Sequence, residues 1–307
     1  MALTTDDEDF LLAEAQYQGF VRGDALIGLV ADVPEAERAM MNALWAAAGR
    51  GCLPAYRTIG DCYMAVLKPV GAFEGISPDD ADARPWSSEA QAIVDPEIPA
   101  LQAALRGYFE AARAGDREAA MHYARMSRHS SRENQERALA LLLQNQDPTA
   151  AELYQRGLVQ NWLSDLEASA ATHRAAAERG NLDAQFELYI YYAQGLGVEA
   201  DPEKSQAWLH RAAEGDHPRA LYNIAAAYAS GSEGEKDLKK AASYYERAAA
   251  HGNGRAAATL GVMILTEEIE GTREQAIRWL DMADEYGYAT WEMLDAVDLD
   301  DPREPAD

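Results

Sequence analysis

The chain has little of what several protein classes require. Its 307 residues include only two cysteines, Cys52 and Cys62, so a disulfide framework is not supported and a reducing cytoplasm is the expected location. Bases are scarce, with 27 lysines and arginines against 52 acids and a formal net charge of −25. A nucleic acid or an anionic membrane needs a net basic face, so neither is expected as a partner. No apolar run approaches the roughly 20 residues that cross a bilayer. Residues 1–10, MALTTDDEDF, hold four acids and no base, the reverse of the charged start of a secretory leader.

Catalytic and cofactor signatures are equally thin. None of the six histidines, at 122, 129, 173, 210, 217 and 251, falls in a zinc-protease spacing or beside a cysteine at metal-ligand spacing. His210, His217 and His251 lie around the expected ends of second helices, where a cationic ring would relieve the helix dipole. The glycines of Gly195-Leu-Gly197 and of the stretch from Gly231 to Gly234 lack the Gly-Lys-Ser/Thr of a phosphate loop and follow no apolar strand, so they are expected to be turns. No serine stands in a nucleophile elbow. No cofactor, no metal and no enzymatic activity is expected.

What the chain does have is repetition. Gly180, Asp216, Gly252 and Gly287 stand 36, 36 and 35 residues apart, and their flanks fall into register. Four residues before each stand Ala176, Ala212, Ala248 and Ala283, and four after the first three stand Ala184, Ala220 and Ala256. Fifteen residues before stand Asp165, Asp201, Asp237 and Thr272, whose side-chain oxygens suit a helix start. Trp208, Tyr244 and Trp279 form an aromatic column. Small residues at fixed positions let antiparallel helices approach closely, while Leu188, Ile224 and Leu260 fill the space between them. The anchors end each second helix, where a left-handed residue is needed. The fold expected is all-α, a right-handed α-solenoid of antiparallel helix pairs in which each pair covers the apolar side of its neighbour.

Ala184, Leu188, Tyr192, Gly195, Gly197 and Val198, followed by Asp201, Lys204, Trp208, Ala212 and Ala213, resemble one Sel-1-like repeat, a tetratricopeptide-like unit. The next unit resembles it from Ala220 through Tyr228 and Gly231 to Asp237, Lys240, Tyr244 and Gly252. A third, from Ala256 to Ala283, has lost the glycine turn. Half-units recur earlier at Ala47, Ala48 and Gly51 with Ala55, and at Ala111, Ala112 and Gly115 with Ala119. The intervals from Gly51 to Gly115 and from Gly115 to Gly180, 64 and 65 residues, are each expected to hold two degenerate units.

The organisation expected is a helical region over 1–67 with one degenerate repeat, then an inserted Pro/Asp-rich loop over 68–99 with a short helix near 87–94. That loop could divide the solenoid. Degenerate helices follow over 100–149, the Sel-1-like array over 150–295, and a disordered acidic tail over 296–307. Cysteine-bearing members of the resembling family bridge their helix pairs with disulfides. The array here has no cysteine, so Cys52 and Cys62 are expected to be buried thiols.

The resemblance implies a non-enzymatic interaction scaffold that holds a protein partner in a concave groove lined by first helices. By analogy with tetratricopeptide arrays, Phe186, Ile190 and Tyr222 are expected to line it as anchors, flanked by Asp183 and Arg219; the competing expectation buries these residues between repeats. The acidic ends, with 17 acids against 6 bases over 1–100 and 14 against 3 over 267–307, suit a partner with a basic surface. Two alternatives stand beside the scaffold: an immunity or antitoxin-type inhibitor of a basic toxin, and a hydrolase with its site in the 68–99 loop. The sequence does not indicate an oligomeric state.

Overall fold

A computed structural model describes residues 35–50, 52–67, 99–232, 234–297, 299 and 301–303. These hold helices and no strand. In chain order they are α1 (Glu35–Gly49), α2 (Leu53–Leu67), α3 (Pro99–Arg113), α4 (Arg117–Met126), α5 (Arg132–Leu143), α6 (Ala150–Trp162) and α7 (Leu166–Glu178). There follow α8 (Leu182–Gln194), α9 (Pro202–Glu214), α10 (Pro218–Ser230), α11 (Leu238–Ala250), α12 (Gly254–Leu265), α13 (Arg273–Glu285) and α14 (Thr290–Asp295). The chain divides into two compact units, one of residues 1–148 with 158–165, the other of 149–157 with 166–307. The first 34 residues, most of the 68–99 insertion and the short helix expected near 87–94 lie outside the described residues.

In the second unit the 36-residue columns have direct physical meaning. Asn181, His217 and Asn253 sit at the starts of α8, α10 and α12, and each side chain accepts from the amide three residues on. Asp201, Asp237 and Thr272 do the same for α9, α11 and α13, Thr272 with Gln275 as a reciprocal capping box. Gly180, Asp216, Gly252 and Gly287 all have positive φ, from 61° to 89°. Asp216 takes the left-handed conformation without glycine's freedom, and the Arg247 guanidinium holds its carboxylate at 2.6 Å.

The repeated alanines are the crossing points. Ala176, Ala184, Ala212, Ala220, Ala248, Ala256 and Ala283 have no exposed surface. Leu188, Ile224 and Leu260 are buried among them, as expected. Gly197 (φ 62°) marks the tightest approach, since a Cβ there would lie 2.1 Å from the Leu166 carbonyl oxygen. The glycine stretches are indeed turns: Gly195 and Gly231 terminate α8 and α10 in left-handed geometry.

His217 departs from expectation. It starts a first helix rather than ending a second one, and its ring is a cap acceptor: Nδ1 receives the Ala220 amide at 3.3 Å. The reason is its column, which elsewhere holds Asn181 and Asn253.

The first unit is assembled differently from its expected spacing. α2 packs directly on α3 across the insertion, through Gly60 against the Tyr108 ring and Gly107 against the Tyr56 carbonyl. The helices on either side of the insertion therefore form one pair. The described helices of the 51–115 interval form that one pair, whereas α4 to α7 fill the 115–180 interval with four helices. Cys52 and Cys62 are buried.

Within the stretch 296–307, residues 301–303 are packed rather than disordered. Pro302 is buried and its carbonyl accepts from Arg273 at 2.9 Å. Arg303 pairs with Asp281, Asp284 and Asp301 and donates to Thr290 Oγ1 at 2.9 Å. A polar segment packs here because one guanidinium gathers three carboxylates.

Candidate functional site

The residues expected to line a groove belong to α8 and α10, and the structure brings three of the five, Asp183, Phe186 and Arg219, into one cluster around His217. Phe186 is 3% exposed, so it is no open anchor. Its ring stacks on His217 (centroids 4.8 Å apart, planes at 20°) and the Arg219 guanidinium lies over it at 4.4 Å. The cover comes from the next repeat, 33 residues along, and this buries an aromatic side chain that its own helix leaves outward. Ile190 and Tyr222 are half-buried against the same core, Asp183 and Arg219 are exposed.

The electrostatics follow from His217. Because Nδ1 accepts the Ala220 amide, the proton sits on Nε2, which donates to Asp183 Oδ1 at 3.3 Å. That hydrogen bond holds the Asp183 carboxyl below the usual carboxylate range. Glu187, one turn further on α8, is pushed the other way by burial, against the pull of the Arg219 charge.

The arrangement repeats one unit later. Arg255, 36 residues after Arg219, lies 5.1 Å from the Tyr222 ring centroid, and Tyr222 itself packs on Tyr245 at 5.4 Å. Another 36 residues on stands Trp291, 65% exposed on α14. One column thus presents Asp183, Arg219, Arg255 and Trp291 from four successive first helices. The 36-residue step from Asp183 and Arg219 leads to the last two.

Second helices carry a different, self-contained pattern. Lys204 pairs with the capping Asp201 at 2.8 Å and lies over Tyr192, and Lys240 repeats this with Asp237 and Tyr228. A cleft of about 1550 Å³ opens beside the second of these, lined by Lys236 and Lys239 and by Glu267, Glu268 and Glu270 of the α12–α13 connection. Among the described residues no group of histidine, cysteine and carboxylate side chains could hold a metal, and no helix is long and apolar enough to cross a membrane.

Fold and column together define an all-α repeat protein built of helix pairs, with an exposed polar and aromatic row along its first helices. Residues 182–217 and 218–253 are two Sel1 repeats, by match to that family. Three solved structures are among those to which the chain shows similarity. A Sel1 repeat protein from Oxalobacter formigenes is 24% identical over 54% of this chain and 70% of its own, with a TM-score of 0.46. The protein c5321, a protective antigen present in uropathogenic Escherichia coli strains and displaying an SLR fold, is 19% identical over 94% of this chain and 56% of its own, at 0.48. Pseudomonas aeruginosa PA5086 is 20% identical over 76% and 90%, at 0.39. No curated protein matches the chain.

Proposed function

We propose that this protein is a non-enzymatic interaction scaffold that holds a segment of a partner protein along the first helices α8, α10, α12 and α14. The observation that supports this reading is the exposed column itself. Arg219 and Arg255 lie over Phe186 and Tyr222 at one repeat spacing, with the exposed Trp291 a further 36 residues on, and polar and apolar surface of this kind suits an extended or helical segment. Trp291 is 65% exposed, and tryptophan is a frequent anchor in protein interfaces.

The expected basic partner draws on the net charge and the acidic ends, much of which lies outside the described residues. The row itself presents two guanidinium groups, so the sign of its occupant is a separate matter.

Site-specific photo-crosslinking tests the scaffold reading. A crosslinking amino acid at Arg255 or Trp291 should capture a protein partner in cells, and one at Ala207 of α9 or Glu246 of α11 should not. Equal capture from both faces, or none from the first-helix row, would overturn it.

A further inference from the structure

We infer that the row receives an extended acidic segment of the partner, one carboxylate on Arg219 and a second, three residues along, on Arg255. The inference rests on the scaffold reading and adds the chemistry of the occupant.

Among the described residues these arginines have no internal carboxylate at ion-pair distance. In a chain with 52 acids and 27 bases, a guanidinium is surrounded by potential partners. Lys204, Lys240, Arg247 and Arg303 of the same unit are each held by an aspartate. Arg219 and Arg255 are placed on ring faces, and among the described residues neither has an ion-pair partner within 4.0 Å. Asp183, which could serve Arg219, is engaged by His217 instead.

The stacked arginines are also preorganised. A guanidinium stacked on a ring keeps its plane fixed while its edge N–H groups stay free, and that fork matches a carboxylate in two parallel hydrogen bonds. A ring face offers those N–H groups no in-plane acceptor. Binding then orders little that is not already ordered. Two such forks in one sequence column, each over the aromatic residue of the preceding repeat, point the same way.

Spacing sets the register. Neighbouring helices pack about 8–10 Å apart, and an extended chain advances about 3.3 Å per residue. Two carboxylates on Arg219 and Arg255 therefore stand three residues apart, and three residues beyond Arg255 an apolar side chain reaches the exposed face of Trp291. At the other end Asp183 presents a carboxylate and repels a further acid, so the acidic stretch ends at Arg219. Asp183 and Glu187 both act on Arg219 through space, whereas Arg255 has no acid on its own turn, so Arg255 is the stronger of the two contacts.

The test is a display selection of random dodecamer peptides on the full chain, followed by fluorescence anisotropy of the enriched peptides on wild type, R219Q, R255Q and the double variant. Both side chains are exposed, and circular dichroism should show melting within a few degrees of wild type. The expected peptides carry two acids separated by two residues. Their affinity should fall at least tenfold in R255Q, less in R219Q and most in the double variant. Replacing both peptide acids by glutamine should abolish the difference between wild type and double variant. Enriched peptides that are neutral or basic, or acidic ones that bind the double variant as well as wild type, would overturn the inference while leaving the scaffold reading in place. A selection that enriches nothing would remove both.

Discussion

The pair α2/α3 and the pair α10/α11 solve one packing problem in two ways. In α10/α11 the helices approach over alanines, with Ala220, Ala241 and Ala248 fully buried and the aromatic rings held at the sides. In α2/α3 glycine replaces alanine, and the space is taken by Tyr108, whose ring fits against Gly60 and whose hydroxyl donates to Asp61 at 2.5 Å. The first solution repeats along the chain because each alanine needs only another small residue opposite. The second is private to its pair, since Gly107 matches the Tyr56 carbonyl and nothing else. A pairwise fit of this kind tolerates an insertion of about 30 residues between its helices, at a loop cost that grows only slowly with length. It also leaves no periodic trace, so the match to the Sel1 family covers 182–253 and not 53–113.

The largest expected effect breaks the alanine solution. Glutamate at Ala248 puts an unpaired charge between helices and should cost about 4 kcal/mol, read as a fall in the urea midpoint. A loss below about 0.5 kcal/mol would mean that the residue faces solvent.

Acid separates the two units by sign. His173 is fully buried between Tyr154 and Tyr191 with neither ring nitrogen hydrogen-bonded, and burial lowers its pKa to about 4 from an ordinary 6.5. The folded state therefore binds fewer protons than the unfolded one between those values. Its contribution is present above pH 6.5 and lost as pH falls towards 4, about 3 kcal/mol in all. Burial moves Asp61 upward, so the folded state there gains on acidification and loses as pH rises through the shifted pKa. His173→Leu should flatten the acid loss of the second unit, and Asp61→Asn should remove the opposing term in the first. Identical pH profiles for H173L and wild type would discard the histidine's part.

Adding one methyl to the glycine solution comes next. Gly107→Ala brings a Cβ to 2.6 Å from the Tyr56 carbonyl oxygen and should cost about 2 kcal/mol in thermal unfolding. The same change at Gly180, where nothing lies within 4 Å, should cost only the left-handed strain, about 1 kcal/mol. Equal costs would dissolve the distinction between the pairs. Smallest is Tyr108→Phe, which removes the bond to Asp61 and should cost about 1 kcal/mol while leaving the ring stacked on His122.

The sequence is most legible where contacts recur at a constant separation. The caps at Asp201, Asp237 and Thr272, the buried alanines and the left-handed anchors could each be derived from one column, because every repeat faces a neighbour like itself. Legibility fails where a contact joins unlike elements. The α2/α3 pair joins residues 47 apart, Tyr108 and Asp61, over an insertion that erases the period. Phe186 occupies an outward position of α8, and the His217 ring and Arg219 guanidinium of the next unit close it over. His217 was misplaced for a related reason: its distance from Asp216 suggests a helix end, while its ring serves the following helix start. The candidate row was partly legible, through Asp183, Arg219 and Tyr222, and the same step of 36 extends it to Arg255 and Trp291.

In a stack of repeats each unit is held from both sides except the last, which opens first and most often. Arg303 alters that gradient. By joining Asp281 and Asp284 of α13 to Thr290 of α14 and to Asp301, it ties a returning segment across the final helices, so that α14 can part from α13 only by giving up several charge-assisted bonds at once. Amides of α13 should then exchange with solvent as slowly as those of α11, and Arg303→Ala should speed α13 selectively. The α13–α14 end of the described array behaves as a latched end, and the exposed Trp291 of α14 is held in place with it.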